Sequence, residues 1–130
     1  MTGIVSLAQI IVNDLSSYGA EYSAVPELFL AELDSRRIIV VPVSVETRLI
    51  SRTQIERVYK IEIGVVQKAK DSELDKLIEF VEQLATDLLK RKFGNTTCLS
   101  VLFDPLYSAE DMRERNQFTS VISLSLKEIC

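Results

Sequence analysis

Two long runs of alternating residues, joined by a short polar break and followed at once by an amphipathic helix, constrain this chain more than any other feature. Between Arg36 and Lys68 the sequence reads IIVVPVSVETRL and then TQIERVYKIEIGVVQK. Alternation at a period of two places one set of side chains on each face of a strand. In the first run Ile39, Val41, Val43, Val45 and Leu49 are expected on one face, and Ser44, Glu46 and Arg48 on the other. In the second, Ile55, Tyr59, Ile61, Ile63 and Val65 share a face opposite Gln54, Glu56, Lys60 and Glu62. Such strands suit a half-buried antiparallel sheet. Pro42 lacks an N–H and cannot donate to a ladder, so the first strand is expected at a sheet edge or bulged there. LISRT, around Leu49–Thr53, reads as a hairpin tip.

The helix that follows spans residues 72–92. Leu74, Leu77, Ile78, Val81, Leu84, Ala85 and Leu88 form one stripe at helical spacing. Asp71 or Ser72 can cap its start, Glu73 and Asp75 oppose the positive end of its dipole, and Lys90, Arg91 and Lys92 suit its negative end. Gly94-Asn95 is expected to stop it. A helix of about 20 residues is about 30 Å long, enough to cover long strands.

The flanking segments complete the pattern. Ile4, Leu7, Ile11 and Leu15, with Ala8 and Val12, mark a first helix over residues 4–17, ended by Ser16, Ser17 and Gly19. A loop through Glu21 and Pro26 should follow, then a strand at 27–33 (ELFLAEL) and a tight turn at Asp34-Ser35-Arg36. Residues 98–103 (CLSVLF) are nearly all apolar, so both faces of that strand are expected to be covered. Residues 118–127 alternate, with Phe118, Ile122, Leu124 and Leu126 on one side and Thr119, Ser123, Ser125 and Lys127 on the other. Between them lies a charged connection, DPLYSAEDMRERNQ, with room for a short helix from Ser108. The expected fold is α+β: a mainly antiparallel sheet of about five strands with two helices packed on one face, in a single domain over residues 1–130.

Bulk properties narrow the function. The 130 residues suit one domain with a real core, and 47% hydrophobic and 26% charged residues are ordinary for a globular protein. The formal net charge of −4 argues against nonspecific nucleic-acid binding as the main task. No apolar run approaches the roughly 20 residues that span a bilayer, so no membrane partner is expected. The N-terminal MTGIVSLAQIIVNDL has no basic leader and reads as a helix, not a secretory signal. Cys98 and Cys130 make no disulfide framework. Cys98 is expected in the core and Cys130, the last residue, to be mobile.

Histidine is absent, which removes the commonest general base and the commonest transition-metal ligand. The four glycines are widely separated and make no phosphate loop. Glu56 and Glu62 flank Lys60 on a polar strand face, the pattern of a charge-balanced exposed surface, and Tyr59 and Tyr107 read as packing groups. No catalytic, cofactor-binding or metal-binding set is therefore expected. Two charged clusters remain. Arg48, Arg52 and Arg57 surround the hairpin tip, which also carries Leu49 and Ile50. Arginine is favoured at interfaces and for carboxylate or phosphate recognition, and it also serves plain solubility by pairing across strands with Glu46 and Glu56. Glu110, Asp111, Arg113, Glu114 and Arg115 form a mixed-charge segment, either a subunit contact or a solvated loop. A hard-cation loop would place oxygen ligands around a glycine, and the segment has none.

The order of elements, together with RTQIERVYKIEIGVVQK at Arg52–Lys68, DSELDKLIEFVEQLATDLL at Asp71–Leu89 and FTSVISLSLKE at Phe118–Glu128, resembles the tail terminator (tail completion) proteins of long, noncontractile-tailed phages. The likeness lies in a strand ending V-x-x-K followed by an acidic helix start with L-D-x-L, and it covers the middle half of the chain, with a weaker match at the end. The resemblance implies a virion protein, assembled in the host cytoplasm, that forms a homo-oligomeric ring, commonly a hexamer, on the head-proximal end of the tail tube. Its partners would be itself, the tail tube protein and the head connector protein, with DNA passing through the lumen. No cofactor and no catalytic residues are carried over. On this reading Arg48, Leu49, Ile50 and Arg52 are candidates for the axial interface. Asp111, Arg113 and Arg115, with the strand edges, are candidates for the lateral one. Another head–tail connector or neck component, or a small cytosolic ligand-binding or regulatory domain, remain the alternative readings.

Overall fold

The computed structural model describes residues 3–23 and 36–130. In chain order they form α1 (Ile4–Asp14), β1 (Ala20–Tyr22), β2 (Arg37–Leu49), β3 (Ile55–Lys68), α2 (Leu74–Lys90), β4 (Thr97–Phe103), α3 (Ala109–Arg115) and β5 (Gln117–Ile129), with single 3-10 turns at Ser16–Tyr18 and Asp71–Glu73. The fold is α+β. One five-stranded sheet has the order β1-β2-β3-β5-β4. β1 runs parallel to β2, and every other neighbouring pair is antiparallel.

α1 and α2 pack on the same face of this sheet. Leu7, Ala8, Ile11 and Leu15 from the first and Leu77, Val81, Leu84, Ala85 and Leu88 from the second are buried there. They meet Ile38 and Val40 of β2, Tyr59, Ile61, Ile63 and Val65 of β3, and Phe118, Ile122, Leu124 and Leu126 of β5. The two helices are also tied to each other. Arg91, just past α2, donates to the Asp14 carboxylate at 2.7 Å. Asp14 lies at the C-terminal end of α1, where the helix dipole disfavours an acid, and the guanidinium offsets that. Tyr18 meets Phe80 edge-to-face at 6.0 Å between ring centroids.

Most expected elements are present, with informative departures. α2 begins at Leu74 after a 3-10 turn in which the Glu73 carboxylate accepts the Lys70 backbone N–H at 3.1 Å. It ends at Lys90, ahead of the Gly94 turn, because Arg91 is already extended. The charged segment before β5 does contain a helix, α3, capped by the Ser108 hydroxyl, which accepts the Asp111 N–H. Ala20–Tyr22, expected as loop, is a short strand: Gly19, with φ of 74°, reverses the chain after α1 and sets β1 beside β2. The strand expected at 27–33 and most of the turn at 34–36 lie outside the described residues.

The faces of β2 need a correction. A bulge between Pro42 and Ser44 shifts its register. Before it, Ile38 and Val40 face the helices, while Ile39 and Val41 lie on the opposite face; after it, Val45 sits opposite Tyr59 on the helix side. Each face of β2 therefore changes parity at Val43, which no β3 residue opposes and which is 45% exposed. β4 departs too. It is an edge strand, bulged between Cys98 and Ser100, and Leu99 and Leu102 are exposed. Only its helix side, carrying Val101 and Phe103, packs on the core.

Candidate functional site

The β2–β3 hairpin tip lies at one end of the sheet. β2 and β3 stay paired out to Leu49 and Ile55, and the turn closes with Ile50 N–H and Ser51 N–H both donating to the Gln54 carbonyl. Leu49 is 68% exposed and Ile50 48%. Arg52 is exposed on the same turn. Arg48 points along the polar face and pairs with Glu56 at 2.9 Å, and Lys127 of β5 approaches the other Glu56 oxygen at 3.6 Å. Glu56 is thus held between two cations, and Arg48 keeps a 68% exposed side chain that can reach a second acid.

The hairpin is braced from one side. β5 pairs with β3 all the way to Glu56–Ile129, and Cys130 exchanges two backbone hydrogen bonds of 2.9 Å with Ile55. The chain end is therefore fixed to the tip, not mobile as expected. This makes the tip a three-stranded platform, stiffer than a free two-stranded arm.

A polar cluster that the sequence reading missed lies under this platform on the helix side. The Tyr59 hydroxyl donates to Glu128 Oε1 at 3.0 Å, and both side chains are buried. The Cys130 thiol reaches the same oxygen at 3.5 Å. The Arg57 guanidinium sits 5.4 Å from the centre of the Tyr59 ring, on the sheet face opposite to that of Glu46. Burial, reinforced by the bond to Glu128, pushes the Tyr59 phenol up to about 12. A phenol so placed stays protonated at neutral pH and serves as a fixed donor, not a general acid. The Cys98 thiol is also pushed up by burial, and the Cys130 thiol by burial and then by Glu128. Neither has the depressed pKa of a nucleophilic cysteine. The signal for this cluster was present: Glu128 continues the inward series Ile122, Leu124, Leu126, in register with Tyr59 one pair away.

The candidate lateral residues sit on α3. Asp111 is largely committed within the chain: its carboxylate accepts from the Thr119 hydroxyl at 2.7 Å and lies 3.5 Å from Arg115 one turn on. Arg113 is exposed beside a shallow depression also lined by Asp71, Leu74 and Tyr107. The structure therefore brings Asp111 and Arg115 together and leaves Arg113 on the outer surface. No cluster of three or more potential metal ligands occurs among the described residues.

No protein-family model matches this sequence, and no curated protein matches it either.

Proposed function

We propose that this chain is a structural component of a long, noncontractile phage tail: a terminator that forms a ring on the head-proximal end of the tail tube, stops tube polymerisation and presents a surface to the head connector. The family resemblance of β3, α2 and β5 supplies the identity of the assembly. The observation that carries the reading is the braced hairpin platform, where Leu49 and Ile50 stand exposed between Arg48 and Arg52 at the far end of a rigid sheet. Apolar side chains ringed by arginines are the usual make-up of a protein contact. In this role the tip makes the axial contact to tube or connector, and strand edges with Arg113 make the lateral contacts. The net charge of −4 suits a lumen that lets DNA pass without holding it.

Native mass spectrometry of the purified protein, followed by addition to polymerising tail tube protein, tests this. A ring of fixed copy number that arrests tube growth is the expected result. A monomer or dimer that carries a small metabolite and leaves tube growth unchanged would sink it, and would favour a ligand-binding domain.

A further inference from the structure

We infer that the lateral contact between copies is the pairing of β4 of one copy with the outer edge of the distal half of β2 of the next, antiparallel, so that the sheet continues from copy to copy. The inference deepens the ring reading by naming its lateral contact, and rests on that reading only for closure into a ring.

The two ends of the sheet are complementary. β4 is the last strand on one side. Its seven residues, Thr97–Phe103, carry no charge and no proline, and beyond the bulge at Cys98–Ser100 the stretch from Ser100 to Phe103 runs in regular register, so no charge, proline or bulge there deters another strand from pairing with it. On the other side, β1 pairs only with Ile38–Val40 of β2, and Ser23 N–H donates to the Val40 carbonyl. Beyond that point no strand pairs with the outer side of β2 among the described residues. The stretch from Val43 to Leu49 matches β4 in length. Two edges of equal length, each with a row of backbone donors and acceptors, meet the basic requirement for strand addition.

Direction decides the occupant. β2, β3, β5 and β4 alternate in sense, so β4 runs opposite to β2 within one sheet. A second copy placed alongside by rotation about an axis near the strand direction keeps its strands in the same sense. It therefore offers β2 antiparallel to β4, which is the more stable pairing. The contact joins two different patches and so repeats head to tail, the kind that closes into a ring. A two-fold β4–β4 contact would close at two copies.

Register adds a stagger. Across the sheet, Thr97 lies level with Lys127, Val58 and Glu46, and Phe103 with Ile122, Ile63 and Val40. To avoid β1 and reach Val43–Leu49, the neighbour slides by about three residues, or about 10 Å at the strand rise. Stagger with strand tilt is what curves a sheet around an axis. Side-chain parity agrees. On the helix side, Val101, with the exposed Leu89 of α2 beside it, would meet Val45 of the neighbour. On the other side, Ser100 and Leu102 would meet Ser44, Glu46 and Arg48, with no like charges opposed along the paired strands.

Single-cysteine proteins test the contact directly. In a Cys98→Ser, Cys130→Ser background, Ser100→Cys is mixed with Glu46→Cys or, separately, Arg48→Cys, and oxidised. All three positions lie on the same sheet face, so one mixture should give a cross-linked heterodimer while each protein alone gives none. Leu102→Lys, at a 62% exposed site, should keep the wild-type circular dichroism and lower both cross-linking and the ring-sized species by about tenfold, equivalent to about 1.4 kcal/mol. Cross-linking of Ser100→Cys with itself would replace the proposal by a two-fold β4 pair. No cross-link in either mixture, or wild-type assembly by Leu102→Lys, would overturn it. Formation of the heterologous cross-link without closed rings or tube arrest would leave the edge pairing standing and remove the terminator reading instead.

Discussion

The Tyr59 hydroxyl and the Glu128 carboxylate, 69 residues apart in sequence, share a 3.0 Å hydrogen bond at the buried distal end of the sheet. It links β3 to the last residues of β5 beneath the hairpin platform, with the Cys130 thiol on the same carboxylate oxygen. Tyr59→Phe removes one donor from a buried acid. The expected cost is about 1–3 kcal/mol, the penalty for leaving a buried polar group short of a partner. Urea denaturation with an unchanged m-value checks it. A change below about 0.3 kcal/mol would mean that the bond contributes nothing net.

The same pair sets an alkaline limit. Tyr59 is held at about 12 in the folded protein, against about 10 for an unfolded tyrosine. The unfolded chain therefore loses this proton first. The stabilisation is fully present below about pH 10 and is lost as pH rises toward 12. Phenolate absorbance should show a late phase near pH 12 that vanishes in Tyr59→Phe. A wild-type titration without that phase, or a late phase that persists in Tyr59→Phe, would contradict the assignment.

Leu84 tests the core. It is 2% exposed on α2 and belongs to the cluster shared by α1, α2 and the sheet. Leu84→Ala should cost about 2–5 kcal/mol through lost burial and the cavity left behind. A loss under about 0.5 kcal/mol in chemical denaturation would place the helix face wrongly.

Ser120 predicts the opposite sign. Its side-chain oxygen is fully buried on the helix side of β5 and has no hydrogen-bond partner. Ser120→Ala removes an unsatisfied polar atom with almost no change in volume. Stability should stay level or rise by about 1 kcal/mol. A clear loss of stability would show that the hydroxyl has a partner in solution, such as a buried water.

Much of this fold was legible because its period is clear. The inward series of β3 and β5 and the stripe of α2 follow from spacing alone, and the structure keeps all three. β2 was half legible. Pro42 announced an edge or a bulge, and the bulge is there, but alternation cannot say that an extra residue at Val43 exchanges the faces of Ile39 and Val41. β4 misled for a different reason: an apolar run looks the same in the middle of a sheet and at its edge, and only the strand order shows Leu102 uncovered. Ala20–Tyr22 is too short to show a period. Of the candidate interface residues, the tip was visible as exposed leucine and isoleucine next to arginine. The engagement of Asp111 by Thr119 was not, because it depends on how α3 folds back on β5.

The hairpin tip should be dispensable for folding and needed for assembly. Leu49 and Ile50 are exposed, and the turn is held by backbone bonds to Gln54 and by the pairing of Ile55 with Cys130. Leu49→Ser with Ile50→Ser therefore leaves the fold intact, with a stability change within about 0.5 kcal/mol, as for ordinary surface substitutions. If the tip makes the axial contact proposed above, tail completion should drop sharply, because the apolar centre of that contact is gone while its charged rim remains. Failure of the double variant to fold would make the tip part of the core. Normal tail completion by a folded variant would reduce it to a loop.

Arg113 carries the last test, and the structure sharpens it. Arg115 lies 3.5 Å from Asp111 within α3, so reversing its charge disturbs the helix itself and confuses folding with assembly. Arg113 is exposed on the adjoining surface near Asp71 and Leu74, where a neighbour's acid can meet it. A rim charge pair is worth about 0–1 kcal/mol and is screened by salt. One copy of such a pair decides little, but the proposed ring would repeat it at every interface. Arg113→Glu should therefore keep the wild-type circular dichroism and melting behaviour and weaken ring formation at low salt. The defect should shrink as salt rises, since screening removes the new repulsion along with the old attraction. Rings of equal stability to wild type at every ionic strength would take α3 out of the interface and leave the lateral contact to the strand edges alone.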